Sequence, residues 1–255
     1  MEKFKNELKE IKRMYLKFNL FLSAHLFNSS TYYFKIIKTI FVNIVFKLNS
    51  DYLPYQGKIK CNENDMDKMK SLFNIDKSLN KVNPFYSVQT LDYIPDFYRE
   101  ILNKHRADIE KYLGKKFKYE NILLTRRSNI PKSMEGQNFF NNVWHQDSDT
   151  YKQLRIFFLL DSVTLQDGPF TYLSLSDTKK YWWTIKKDKI GENSILNFTE
   201  QLTFTGDRGA YLLVDPSRRL HRAGNPNTER YMFSMTLYSE WEKNTTGVER
   251  FNWVY

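Results

Sequence analysis

From residue 153 onward the apolar positions fall in short runs broken by Gly, Pro, Asn and Asp. The run 153–160 (QLRIFFLL) carries the aromatic and branched side chains that suit a pleated, buried surface, and it ends in the loop 161–168. Further runs follow at 169–175 (PFTYLSL), at 203–205 ahead of a Gly-Asp-Arg-Gly turn, and at 210–214 (AYLLV). The last, 230–238 (RYMFSMTLY), comes after the turn signal Gly224-Asn225-Pro226-Asn227. Short strands punctuated in this way predict an antiparallel sandwich or barrel. Between residues 93 and 116 the period changes to that of a helix. Phe97, Ile101, Ile109 and Leu113 share one stripe, Pro95 can open the helix and Gly114 can close it. His105 has the spacing of that stripe and reads as a packing residue.

The front of the chain is patterned differently. Phe4, Leu8, Ile11, Tyr15 and Phe18 recur at spacings of four and three, with Lys and Arg between them, which predicts a basic amphipathic helix. A second apolar stretch, 32–48, is interrupted by Lys35, Lys38 and Lys47, and is shorter and more charged than the pattern expected of a transmembrane helix. Nor do residues 1–20 read as a signal peptide, because charges run through them. The net charge of +10 is concentrated here: residues 1–60 hold 11 Lys/Arg against 4 Asp/Glu. Two expectations follow for residues 1–48, helices packed on the outside of the fold or a peripheral contact with an anionic membrane.

With 255 residues and no Gly/Ser/Pro-rich linker, residues 1–255 read as a single domain, with 1–60 as a basic, helical N-terminal segment. The single Cys61 excludes an intrachain disulfide and fits a reducing cytoplasm. Trp182-Trp183 beside Lys179, Lys180, Lys186 and Lys187 could stack on nucleic acid, but packing against a sheet is the favoured reading and no nucleic-acid partner is expected. Nothing in the sequence specifies an oligomeric state.

Candidate chemistry lies in His145-Gln146-Asp147, answered downstream by His221 and Arg230. Two imidazoles and one carboxylate on one face of a metal leave the other positions open, the arrangement of non-heme Fe(II) oxygenases. Ligands two residues apart at a strand end can share a centre only where the backbone turns, and 147–150 (DSDT) is turn material. A guanidinium at the start of the last strand, Arg230, is suited to meet a carboxylate with two parallel hydrogen bonds. Ser234 lies an even number of residues further and faces the same side.

These motifs, with Asp167-Gly168-Pro169, Gly206-Asp207-Arg208-Gly209 and the 220–224 stretch LHRAG, resemble the phytanoyl-CoA dioxygenase-like family over roughly residues 120–240. The resemblance implies a mainly β fold with flanking helices, a double-stranded β-helix or jelly roll of the cupin kind, with its core at 115–240. It also implies Fe(II) held by His145, Asp147 and His221, with 2-oxoglutarate held by Arg230 and Ser234. The reaction implied uses O2 to hydroxylate a small or carrier-linked organic substrate, with release of succinate and CO2. Related halogenases lack a carboxylate at the place of Asp147, so its presence points to hydroxylation. The family's Pro-Gly-Ser-His-like turn is absent; residues 173–178 read LSLSDT in its place, in a region that shapes the substrate pocket. Two alternatives remain at this stage: a cupin-like metalloenzyme without a keto acid, and a non-catalytic jelly-roll binding module.

Overall fold

The computed structural model describes residues 51–74, 85–91, 93–134, 143–147, 152–181, 200–239 and 252–253, with Ile44. Their elements run β1 (Tyr55–Lys58), α1 (Glu63–Ser71), β2 (Tyr86–Leu91), α2 (Asp96–Leu113), β3 (Phe117–Arg127), β4 (Gln153–Leu159), β5 (Phe170–Leu173), α3 (Leu175–Tyr181), β6 (Gln201–Phe204), β7 (Ala210–Val214), β8 (His221–Ala223), β9 (Arg230–Ser239) and β10 (Asn252–Trp253). All the strand pairings are antiparallel. The larger sheet has the order β1-β7-β4-β9-β3-β10, with β2 also paired to β3, and the smaller has the order β6-β5-β8. A backbone bridge between His145 and His221 adds one more rung beyond β8. From β4 the chain crosses repeatedly between the sheets, with β4 in the larger, β5 and β6 in the smaller, β7 in the larger, β8 in the smaller and β9 in the larger. The result is the expected jelly roll.

Period-two alternation sorts the larger sheet's side chains into two layers. Leu154, Ile156 and Phe158 of β4 and Phe233, Met235 and Leu237 of β9 pack outward with α2, which buries Ile101, Ile109 and Leu113 completely. Burial at that depth is worth roughly 1.5–3 kcal/mol for each aliphatic side chain, enough to fix the helix on the sheet. Phe157 and Leu159 of β4 and Met232 of β9 turn inward and meet Phe170 and Tyr172 of β5 and Phe204 of β6. The same inward face of β4 and β9 carries Gln153, Arg155, Arg230, Ser234 and Thr236.

Pro95 and Gly114 flank α2 as the pattern predicts, and the Gly114 N–H closes the helix on Glu110 O at 2.9 Å. His105 is buried and joined to the Tyr211 hydroxyl at 2.9 Å, the packing role expected of it. The strand expected at 169–175 stops at Leu173, because Ser174 starts a helix instead: its Oγ accepts from the Asp177 N–H and its carbonyl from the Thr178 N–H, both at 3.0 Å. The strand expected at 203–205 occupies Gln201–Phe204. Strands β1, β2, β3, β8 and β10 went unrecognised in the sequence pattern.

The helices expected around Phe4–Phe18 and 32–48 lie outside the described residues, except Ile44, which is helical and exposed. Trp182 and Trp183 lie outside them too. Among the described residues no helix is long and apolar enough to cross a membrane. A cleft of about 590 Å³ opens on the outside of the roll between α1 and the start of α2, lined in part by Cys61, Met66 and Phe97. None of the predicted site residues borders it.

Candidate metal centre

His145 and His221 are brought together by the backbone. Each donates its N–H to the other's carbonyl, at 3.0 and 2.9 Å, and such a doubly bonded antiparallel pair sets two side chains on one face of a sheet. Their rings lie 4.2 Å apart. Beyond His145 the chain leaves the rung, and the Asp147 N–H bonds Pro216 O at 3.1 Å, which swings the carboxylate back toward the histidines. Asp147 Oδ1 stands 3.9 Å from His145 Nε2 and 3.5 Å from His221 Nε2. One ligand atom from each of the three residues falls within 4.8 Å of the others.

Both imidazoles are oriented by their second nitrogen. His145 Nδ1 sits 2.8 Å from Val143 O and His221 Nδ1 sits 2.9 Å from Arg219 O, contacts in which each Nδ1 donates to a carbonyl and Nε2 is the ring nitrogen turned toward Asp147. His145 Nε2 is buried with no hydrogen-bond partner. A buried acceptor without a donor is costly, and a cation supplies what is missing. Burial, helped by the neighbouring His221, pushes the His145 imidazole down to about 3, so it stays neutral and ready to ligate far into the acid range. Burial alone would raise the Asp147 carboxyl, but the Arg155 guanidinium, with His221 and His145, holds it well below the usual carboxylate range. Neutral imidazoles and an ionised carboxylate are the states that ligation requires. The donor set therefore fits a divalent first-row metal, with small side-chain movements to reach bonds of roughly 2.0–2.2 Å.

Arg230, as expected, opens the last strand with its side chain inside the roll. It is almost fully buried, and Nη1 donates to Asp167 O at 3.1 Å and to Gly168 O. Nη2 is buried without a partner, and among the described residues no carboxylate meets this guanidinium. Burial, with the adjacent Arg127 charge, pulls the Arg230 guanidinium down to about 9. Arg127 is its direct cross-strand partner and so faces the same side. Gly168 has φ +58, and a Cβ there would lie 2.4 Å from the Asn225 backbone, which is why the Asp-Gly-Pro segment needs glycine to cradle Arg230. Ser234 lies on the same inward face, buried, two strand pleats from Arg230.

Of the other arginines, Arg126 faces outward and pairs with Glu229. Arg155 reaches the metal centre instead, with Nη2 3.0 Å from Asp147 Oδ2. Gln153 Nε2 donates to the same oxygen at 3.1 Å. Neither residue was singled out as part of the centre from the sequence, although two polar side chains on one face of an otherwise apolar strand, QLRIFFL, were a readable signal. The loop 215–219 also went unnoticed. Asp215 organises it, accepting from the Ser217 N–H at 2.8 Å, from Ser217 Oγ at 2.6 Å and from the Tyr112 hydroxyl.

No model of a known protein family and no curated protein matches the sequence. Solved structures do. HygX from Streptomyces hygroscopicus, with nickel and 2-oxoglutarate bound, is 13% identical over 75% of this chain and 84% of that one, at a TM-score of 0.50. Its complex with nickel, 2-oxoglutarate and hygromycin B matches at 14% identity over 79% and 87%, also at 0.50. SnoN, a non-heme alpha-ketoglutarate-dependent epimerase from nogalamycin biosynthesis, is 14% identical over 73% of this chain and 78% of that one, at 0.50. The chain shares the fold of these proteins.

Proposed function

We propose that the chain is a single-domain Fe(II)- and 2-oxoglutarate-dependent dioxygenase of the phytanoyl-CoA dioxygenase-like kind, hydroxylating a small or carrier-linked organic substrate. The observation that carries this reading is the convergence of His145, Asp147 and His221 on one point, with His145 Nε2 buried and unpartnered. The fold shared with HygX and SnoN supports it, since the printed descriptions of both name this keto acid. HygX was solved with an antibiotic as well, which supports a small-molecule substrate here.

In this reading His145, Asp147 and His221 hold the iron on one side and leave the opposite side for ligands. Bound Fe(II) would couple the oxidative decarboxylation of the keto acid by O2 to oxidation of a substrate C–H bond. Arg230 takes the distal carboxylate through its free Nη2, and its low exposure keeps water from competing for that contact. Ser234, on the same face, is placed to add a hydroxyl donor. Phe170, its ring tilted against those of His221 at 5.2 Å and Phe157 at 4.5 Å, gives the inner wall an apolar lining that favours organic groups over water. The single cysteine fits a reducing cytoplasm, where ferrous iron persists. For residues 1–48 we keep the two expectations, packing on the roll or contact with an anionic membrane; co-sedimentation with anionic vesicles at low salt separates them.

The test is an anaerobic absorption spectrum of the protein with Fe(II), then with 2-oxoglutarate added. A visible charge-transfer band on adding the keto acid is the expected result. Metal binding without the band would leave the cupin-like enzyme, and neither would leave the binding module.

A further inference from the structure

The two oxygens of Asp147 have different surroundings. Oδ1 faces both histidines, at 3.9 and 3.5 Å. Oδ2 is taken by β4, pairing with Arg155 Nη2 at 3.0 Å and accepting from Gln153 Nε2 at 3.1 Å. Neither arm is loose. Arg155 Nε donates to Thr236 Oγ1 at 3.1 Å on the neighbouring strand, where Thr236 is its register partner. The Gln153 backbone N–H points to Asp215 Oδ2 at 3.4 Å, tying that residue to the buried loop behind the centre.

A carboxylate can give a metal one oxygen or two, and the second oxygen fills a position that another ligand would otherwise take. The cation beside Asp147 keeps the carboxylate ionised, but it draws on the same negative charge as the metal and repels a dication, so its direct contribution to metal affinity is small. What the arrangement does supply is direction. With Oδ2 held from the larger sheet by two donors, Oδ1 alone is turned to the smaller sheet, where the histidines are.

The geometry points to Arg155, assisted by Gln153, as a positioning residue that confines Asp147 to one-oxygen ligation and so keeps a metal position open for the keto acid. The inference rests on the keto-acid reading above. It gives Arg155 a role distinct from Arg230: Arg230 binds the far end of the cosubstrate, whereas Arg155 governs whether its near end has room on the metal. Thr236, by orienting Arg155, belongs to the same device.

The experiment uses the full chain loaded with Co(II), whose absorption bands report coordination and which permits binding to be read without turnover. Co(II) affinity, the Co(II) bands and the affinity for 2-oxoglutarate are compared in wild type, Arg155→Met, Arg155→Lys and Gln153→Leu. Expected for Arg155→Met is Co(II) affinity no more than about threefold weaker than wild type, or tighter, because losing a charge that repels the metal offsets losing an outer contact, with altered bands before any keto acid is added and 2-oxoglutarate bound at least about tenfold more weakly. Arg155→Lys should recover part of the keto-acid affinity. Co(II) affinity weakened beyond threefold would show that Arg155 merely supports the ligand; unchanged bands would show that it acts through charge alone. Keto-acid affinity reduced by less than tenfold would show that the open position does not depend on it. Each of these overturns the proposal. Should Arg155→Met fail to fold, Gln153→Leu carries the test without a change of charge, with altered bands and a loss of keto-acid affinity of about threefold expected, and unchanged values overturning the idea. Wild-type Co(II) protein that ignores 2-oxoglutarate would instead overturn the keto-acid reading, and the positioning role with it.

Discussion

Asp147 and Asp215 are both buried carboxylates, and Gln153 touches both, yet their surroundings leave them in opposite states. Asp215 is hydrogen-bonded by neutral donors, the Tyr112 hydroxyl, the Ser217 hydroxyl and backbone N–H, and the Gln153 N–H, and the nearby Arg218 charge acts on it less than burial does. Burial dominates there and pushes its carboxyl up. Asp147, slightly more exposed, forms an ion pair with a guanidinium and faces two imidazoles, and its carboxyl is pushed down although burial alone would raise it. One cluster is closed, with every carboxylate oxygen answered by a hydrogen-bond donor. The other is half open: Oδ2 is held by Arg155 and Gln153, while Oδ1 faces the Nε2 atoms of the two histidines at 3.9 and 3.5 Å. A closed buried cluster positions a loop, whereas an open one is a vacancy of charge that a cation can fill.

Breaking the open cluster should produce the largest effect. His221→Ala should lower metal affinity by about a hundredfold or more, since a lost ligand exceeds the effect of lost outer contacts, while the metal-free unfolding midpoint barely moves. Titration with Fe(II) under nitrogen and a parallel thermal melt check both halves; undiminished iron binding would dissolve the proposed triad. Next comes Arg230→Ala, expected to cost about 3 kcal/mol in 2-oxoglutarate binding, roughly a hundredfold, with Fe(II) affinity nearly unchanged and Arg230→Lys intermediate. Wild-type keto-acid affinity in Arg230→Ala would move the anchor elsewhere, with Arg127 the neighbour to examine.

The closed cluster should respond in stability rather than in ligand binding. Asp215→Ala removes the acceptor for Tyr112 and Ser217, and should destabilise the metal-free fold by about 3 kcal/mol in urea titrations. Metal affinity equal to wild type in the protein that remains folded would separate this loop's structural role from the centre.

Acidification sharpens the same contrast. His145 is neutral in the fold down to about 3, against an unfolded value near 6.5. As pH falls below about 6.5 the unfolded chain takes up a proton that the folded one refuses, so stability is lost progressively, by about 1.4 kcal/mol per pH unit at full slope, until the folded group titrates near 3. The lowered Asp147 adds to the loss below about pH 4, where the unfolded carboxylate becomes protonated first. Denaturant melts of the metal-free protein between pH 6 and 5 should show this slope in wild type and lose one proton's worth in His145→Gln.

His105→Leu should have the smallest effect of the set. It leaves the Tyr211 hydroxyl without its 2.9 Å partner and should cost about 1 kcal/mol of stability, with metal affinity unchanged. A fall in metal binding there would mean that the helix-covered face and the mouth are coupled.

The sequence by itself determined the parts of this protein that depend on local pattern. The apolar runs at 153–160 and 210–214 placed two central strands, because burial of a strand leaves a direct trace in residue order. Pro95 and Gly114 marked α2 to the residue, since each acts through its own backbone. His145, Asp147 and His221 were legible as a set because their residue types admit few other joint uses, and so was Arg230 at the start of its strand. Tertiary structure alone decided what depends on partners distant in sequence. Strand β8 is three residues long and exists through pairing with β5 and with the His145 rung, so no periodicity could announce it. Ser174 ended a strand that composition would have continued, because its hydroxyl and carbonyl captured the next turn. Most of all, the opposite states of Asp147 and Asp215 were invisible in the sequence: the two residues are the same amino acid, and only the charges and donors folded against each one set them apart.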